Sequence, residues 1–271
     1  MPSILTKTEA MLLMAIATLL AAAMGGPSLA QSPHFHDFAD QRSFLGIVYA
    51  MDVFSNVPFA IAGLAGLACL WLAPARSLTN MQRAMALLFF CGLLLVALGS
   101  ATYHLAPMDS GLALDRYTMT FAMAGLLGMA AAGHVSERAG AATGLLSLAA
   151  GLAAVYTWQA TGNLLPWAVF QFGGIAVLWW LASLPVRHVA QPVNWALVIV
   201  VYGVAKLLEI NDYAVFELTW HTVSGHTLKH IVAAFAAWPV IAALVSARRA
   251  RQNAPAETGV EQDLDVRWSN A

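Results

Sequence analysis

Long apolar runs alternate with short breaks along this chain, and that alternation constrains the fold more than any other feature. Runs at about 53–73, 82–104, 112–134, 139–158, 165–184, 193–210 and 226–246 each approach the roughly 20 apolar residues that a membrane-crossing helix needs. An earlier, shorter run covers 10–24. The breaks carry helix-ending punctuation: Pro74 and Arg76, Pro107 to Gly111, Glu137–Arg138, Gly162 to Pro166, Pro185 to Pro192, and Asn211–Asp212. Charge agrees with this reading. Asp, Glu, Lys and Arg make up 10% of the chain, against roughly 25% in an ordinary soluble domain. Too few charges remain to cover a water-facing surface, so a soluble globule is excluded. Disorder is excluded by the abundance of apolar surface. A net charge of −1 leaves no basic footprint for nucleic acid. Cys69 and Cys91 lie within apolar runs, without metal-type spacing, and neither has a catalytic setting.

The expected fold is therefore all-α, a polytopic seven-transmembrane-helix bundle with an additional N-terminal apolar helix or signal peptide. Small residues recur at helical spacing, as in Gly63 with Gly66 and Gly125 with Gly128, and let backbones approach closely in lipid. The loops sort by charge. One side holds Arg76, Arg83, Arg138, Arg187, Arg248, Arg249 and Arg251; the other holds Asp109, Asp212 and Glu217, with Arg42 as the exception. By the positive-inside rule the arginine side is cytoplasmic. The chain then divides into 1–30, an apolar helix or signal peptide; 31–52, an outward-facing segment; 53–246, the seven-helix membrane domain; and 247–271, a cytoplasmic polar tail. Ser28 and Ala30 offer small residues before a cleavage site. Lys7 opposed by Glu9 makes a poor signal-peptide start, and an uncleaved extra helix is the expectation.

Polar residues inside such helices are costly and mark functional sites by default. Ser100, His104, Asp115, Arg116, Lys206, Glu209, His221, His226 and His230 fall mostly near helix ends on the outward side. His226 and His230 are four apart, on one helix face, a spacing that can grip one metal ion. His104 is the only other histidine buried on that side, and three histidines plus water make a catalytic zinc site. Ser100 lies one turn from His104 on the same face, and Asp115 begins the next helix. Each also has a plainer reading. The histidine pair can be interfacial polarity, Ser100 a packing serine, Asp115–Arg116 a charge pair, and Lys206–Glu209 a structural bridge or part of a polar path. His221 reads as solvated, and His134 and His188 as interfacial. His34 and His36 with Asp37 and Asp40 form either an ion site or a flexible polar segment.

Ser100-Ala-Thr-Tyr-His104, then Asp115, then His226-Thr-Leu-Lys-His230 resembles the seven-helix hydrolase superfamily of alkaline ceramidases and the adiponectin and progestin receptors. More locally, the chain is similar to the bacterial ceramidase-like membrane proteins. The phrases that carry this are Phe35-His-Asp-Phe-Ala-Asp-Gln-Arg42, Asp52-Val-Phe-Ser-Asn-Val-Pro-Phe59, Ala205-Lys-Leu-Leu-Glu209 and Ser224-Gly-His-Thr-Leu-Lys-His230. They span about 35 to 246. The resemblance implies zinc on His104, His226 and His230, oxyanion stabilisation by Ser100, and a base in Asp115. Arg116, Lys206 and Glu209 would be supporting or structural groups. It implies hydrolysis of a lipid amide, ceramide or a relative, by a multi-pass protein of the bacterial cell membrane; the loop charges place its active site outward and its C-terminus in the cytoplasm. Residues 31–52 lack the acidic, tryptophan-containing pattern of the eukaryotic calcium site, so calcium is not expected. The superfamily also contains receptors, which keeps a lipid-binding sensor without turnover as the alternative.

Overall fold

The computed structural model describes residues 5–74, 77–187 and 192–253. Among these the regular structure is all helical, without a strand. Nine helices follow in order: α1 (Lys7–Gly25), α2 (Ala50–Leu72), α3 (Asn80–Leu105), α4 (Asp109–His134), α5 (Glu137–Thr161), α6 (Leu165–Ala182), α7 (Trp195–Ile210), the short α8 (Asp212–Leu218) and α9 (Gly225–Gln252). A helix forms at every apolar run read from the sequence. Six of them (α1, α2, α3, α5, α6 and α9) are long and apolar enough to cross a membrane by themselves. The other two depart for opposite reasons. Helix α4 has the length but carries Asp115, Arg116, Thr118 and Thr120, all of them buried, while α7 has only 16 residues.

Local chemistry sets the boundaries. Thr6 with Glu9 and Thr79 with Gln82 form reciprocal capping boxes at the starts of α1 and α3, satisfying N–H groups that lack helical partners. Helix α2 begins at Ala50, earlier than the run at 53, so that Asp52 lies inside it. It breaks at Ser55–Asn56, just before Pro58. Helix α9 breaks at Ala236–Ala237, because Pro239 has no N–H to give the carbonyl four residues back. It also continues beyond 246: Arg248, Arg249 and Arg251 remain helical, where cations complement the negative end of the helix dipole. The first residues of the polar tail read from 247 are thus helical, and Arg76, His188 and residues 254–271 lie outside the described residues.

The core is built by close backbone contact. A Cβ at Gly125 would come within 2.4 Å of the Phe89 backbone nitrogen, and one at Gly92 within 2.4 Å of the Ala122 nitrogen. Helices α3 and α4 are thus locked at a distance that only small residues allow. Gly63 and Gly66 press in the same way against Phe90 and Leu94 on another face of α3. Helix α1 joins the bundle through Leu12, Leu19 and a buried Glu9 bonded to Arg138 and Ser136 at 2.6 Å.

Residues 26–49 form a strap across one end of the bundle. Leu29 pairs with Asn163 and Leu164, Gln31 accepts from Arg116, and His36 contacts Tyr103 and Asp109. The Ala39 N–H donates to Asp212, and Arg42 to the Thr222 carbonyl. One segment thereby ties together the loops after α3, α5, α7 and α8.

Candidate metal centre

The three histidines meet beneath the strap. His104 comes from the last turn of α3, and His226 and His230 from the first turns of α9. All are buried, at 0%, 5% and 4% exposure. Their ring centroids form a nearly equilateral triangle, 4.8, 5.0 and 4.9 Å on a side. One nitrogen from each ring falls within 4.8 Å of the others, the single such ligand group among the described residues. His104 Nε2 and His226 Nε2 are 3.2 Å apart. Two nitrogens about 2.0–2.1 Å from a tetrahedral zinc ion stand roughly 3.3 Å apart. Three neutral nitrogen donors at this spacing, with no carboxylate among them, suit zinc or a similar borderline metal.

Neighbouring elements hold the triangle in place. Gly225 lets α9 begin hard against the end of α7: a Cβ there would lie 2.3 Å from the Leu208 carbonyl oxygen. Asp212 accepts the His226 N–H through Oδ1 (2.7 Å) and the Ala39 N–H through Oδ2 (2.9 Å), joining α9 to the strap. Ser224 caps α9 by accepting from Thr227 N–H. On α3, Gly99 packs against Thr118 of α4, and this approach brings Asp115 beside Ser100. Ser100 Oγ is 3.4 Å from His230 Nε2. On the strap side, buried Phe38 lies over the triangle, 4.8 Å from the His104 ring and 4.4 Å from that of His226. Access to the nitrogens is left on the other side.

That other side is a cavity of about 380 Å³. Its head carries Ser100, Asp115, His226, His230, Arg116, Lys206, Glu209 and Lys229; beyond them the walls are mostly apolar, including Phe89, Leu93, Met123, Leu127, Leu178 and Val198, with the bonded pair Gln171 and Tyr202 as polar exceptions. From Asp115 to Leu127 along α4 is about 18 Å at 1.5 Å per residue. One leaflet of a ~30 Å hydrocarbon core is of similar depth.

The structure brings His104, His226, His230, Ser100 and Asp115 to one point, and it places the remaining polar residues more variously. Lys206 and Glu209 are bonded and line the cavity, with Lys229 donating to Glu209 at 2.7 Å. Arg116 makes no ion pair with Asp115. Its guanidinium stacks on Trp158 (4.2 Å), Phe35 and Trp167 and donates to Gln31. His34, His36, Asp37 and Asp40 do not converge: His34 pairs with Asp37, His36 with Asp109, and Asp40 with Arg42. The bonded Asp40 carboxylate holds Arg42 above its ordinary value. His134 is buried at the end of α4 and bonded to the Leu184 carbonyl. His221 is exposed beside Glu217.

Sequence reasoning passed over Phe38, Asp52, Ser55, Asp212 and Lys229 as parts of the site. Asp52 and Ser55 left a trace, as polar residues at the start of an apolar run. No family model matches the chain, and no curated protein matches it in sequence.

Proposed function

We propose that this protein is a zinc-dependent hydrolase of a lipid amide, with ceramide or a related N-acyl sphingoid lipid as substrate. The observation that carries the reading is the meeting of three buried histidines, two of which (His226 and His230) join Ser100 and Asp115 in lining a mostly apolar cavity. Zinc held by His104, His226 and His230 would supply a Lewis acid and a water whose pKa falls from 15.7 toward about 7. The chain's own groups do the remaining work. Asp115 orients the attacking water, takes its proton and returns a proton to the leaving amine. The Ser100 hydroxyl donates to the oxygen that develops negative charge. The apolar walls hold the acyl chain and keep bulk water out, which strengthens both interactions. Helices α2 to α7 and α9 form the seven spans of this reading, with α1 as an eighth. The arginine-bearing loops face the cytoplasm of a bacterial cell, and the histidine end faces outward.

The test is release of free fatty acid from a panel of labelled N-acyl sphingoid lipids by purified, zinc-loaded protein, with chelator and His226→Ala controls. The expected outcome is chelator-sensitive release by the wild type alone. Stoichiometric zinc and saturable lipid binding without release would replace the enzyme with a receptor of the same architecture.

A further inference from the structure

The break in α2 contains a serine whose hydrogen bonds have only one consistent direction. Ser55 is buried, and its Oγ lies 2.9 Å from the Asp52 carbonyl oxygen and 2.8 Å from His230 Nδ1. A carbonyl can only accept, and a hydroxyl has one proton, so that proton goes to Asp52. Ser55 Oγ is then the acceptor at His230, and Nδ1 carries the ring's hydrogen. The lone pair of the neutral ring is left on Nε2, the nitrogen that faces Ser100. The Asp52 carbonyl has room for this bond beside the one it accepts from Asn56 Nδ2 at 2.8 Å.

The same turn makes a second attachment. Asp52 Oδ1 accepts the Thr227 hydroxyl at 2.7 Å. Asp52 and Ser55 are three apart on α2, and Thr227 and His230 are three apart on α9, so one turn of each helix docks on the other. Asn56 follows directly, and Pro58 ends regular α-helical bonding at this point. The break leaves the Asp52 carbonyl open to the two side-chain donors.

From this geometry we infer that Ser55 is a positioning residue that fixes the tautomer and orientation of His230, presenting Nε2 as a metal ligand. The inference rests on the metal reading of the three histidines. A hydroxyl pointed the other way would put the hydrogen on Nε2 and remove one donor of the three. Partners at the remote nitrogen of a ligand histidine typically contribute 10–100-fold in metal affinity.

Two measurements test it. In metal-free wild-type protein labelled with ¹⁵N-histidine, with the His230 signal assigned through His230→Gln, the expected form is neutral with the proton on Nδ1. Zinc affinity by competition with a chelating dye is expected to fall 10–100-fold in Ser55→Ala and to be restored in Ser55→Thr, which keeps the hydroxyl. The Co²⁺ absorption bands should shift in Ser55→Ala alone. Zinc binding by the wild type together with a proton on Nε2, or an unchanged affinity in Ser55→Ala, overturns the positioning role and leaves the metal site standing. A wild type that binds no zinc overturns both, and the tautomer measured without metal tells the cases apart.

Discussion

Replacing Gly225 with alanine sets two physical effects against each other, and the structure decides between them. Alanine is the better helix former by about 1 kcal/mol, so a purely local view expects the variant to be stabilised. The added Cβ, however, would lie 2.3 Å from the Leu208 carbonyl oxygen, 2.8 Å from the Asp212 Cα and 3.2 Å from the Asn211 oxygen. All three are backbone atoms that cannot rotate away. Restoring ordinary contact requires the start of α9 to retreat by roughly 1 Å from a close-packed neighbour. Overpacking of this kind costs about 1–3 kcal/mol, which exceeds the propensity gain. The same retreat carries His226, one residue on, away from His104. Metal–ligand distances tolerate only about ±0.2 Å, so zinc affinity should fall by about 100-fold, the upper end of what loss of an orienting partner costs. Gly203→Ala is the control, because nothing lies within 4 Å of its added Cβ on α7. SDS unfolding in micelles and dye competition for zinc read both quantities. A Gly225→Ala protein as stable as Gly203→Ala, with wild-type zinc affinity, would refute the close-packing argument.

Other expectations follow from the same contacts. Asp115→Asn keeps the shape of the side chain but removes the base, and fatty-acid release should fall by at least 10²-fold, the usual minimum for general acid–base groups, at unchanged zinc content. Asp212→Ala leaves the buried His226 N–H without its acceptor; about 1–3 kcal/mol should be lost in SDS unfolding, and protease cutting within 31–49 should rise as the strap loses its tie at Ala39. Glu9→Ala removes the bonds to Arg138 and Ser136. Solvent screening of the half-exposed arginine keeps the loss of stability small, and a cross-link between cysteines placed on α1 and α6 should form more slowly. Zinc at 100 times its Kd should raise unfolding stability by about 2.7 kcal/mol. That gain should disappear on acidification, because protons compete with the metal for the histidines.

The linear chain already singled out the three histidines that could hold a metal ion, because polar residues are so costly in membrane helices that the few present stand out. His226 and His230 could be paired by helical spacing alone. His104 followed as the other histidine read as buried on that side, Ser100 from sharing its helix face, and Asp115 from the short turn after α3. The supporting groups were less legible. Ser55 and Asp52 contact α9 across 175 positions of sequence, and no local periodicity reports such a contact. Phe38 reads as one aromatic residue in a polar segment until the strap folds over the histidines. Arg116 beside Asp115 suggests an ion pair in the sequence, yet successive helix positions point apart, and the surrounding aromatic rings took the guanidinium. The terminal position of His134 along α4 is visible in the sequence, but not its burial. Its burial comes from α6, whose Leu184 carbonyl lies just past the helix end.

By itself the sequence pointed to a membrane environment, to the helical class and to the three histidines that could hold a metal ion, since backbone satisfaction in lipid and the cost of buried polarity act on each segment alone. The direction in which each site group is held, the covered face beneath Phe38 and the open apolar cavity were decided only by tertiary structure. They depend on glycine contacts and hydrogen bonds between helices far apart in the chain, and those exist only once the bundle has closed.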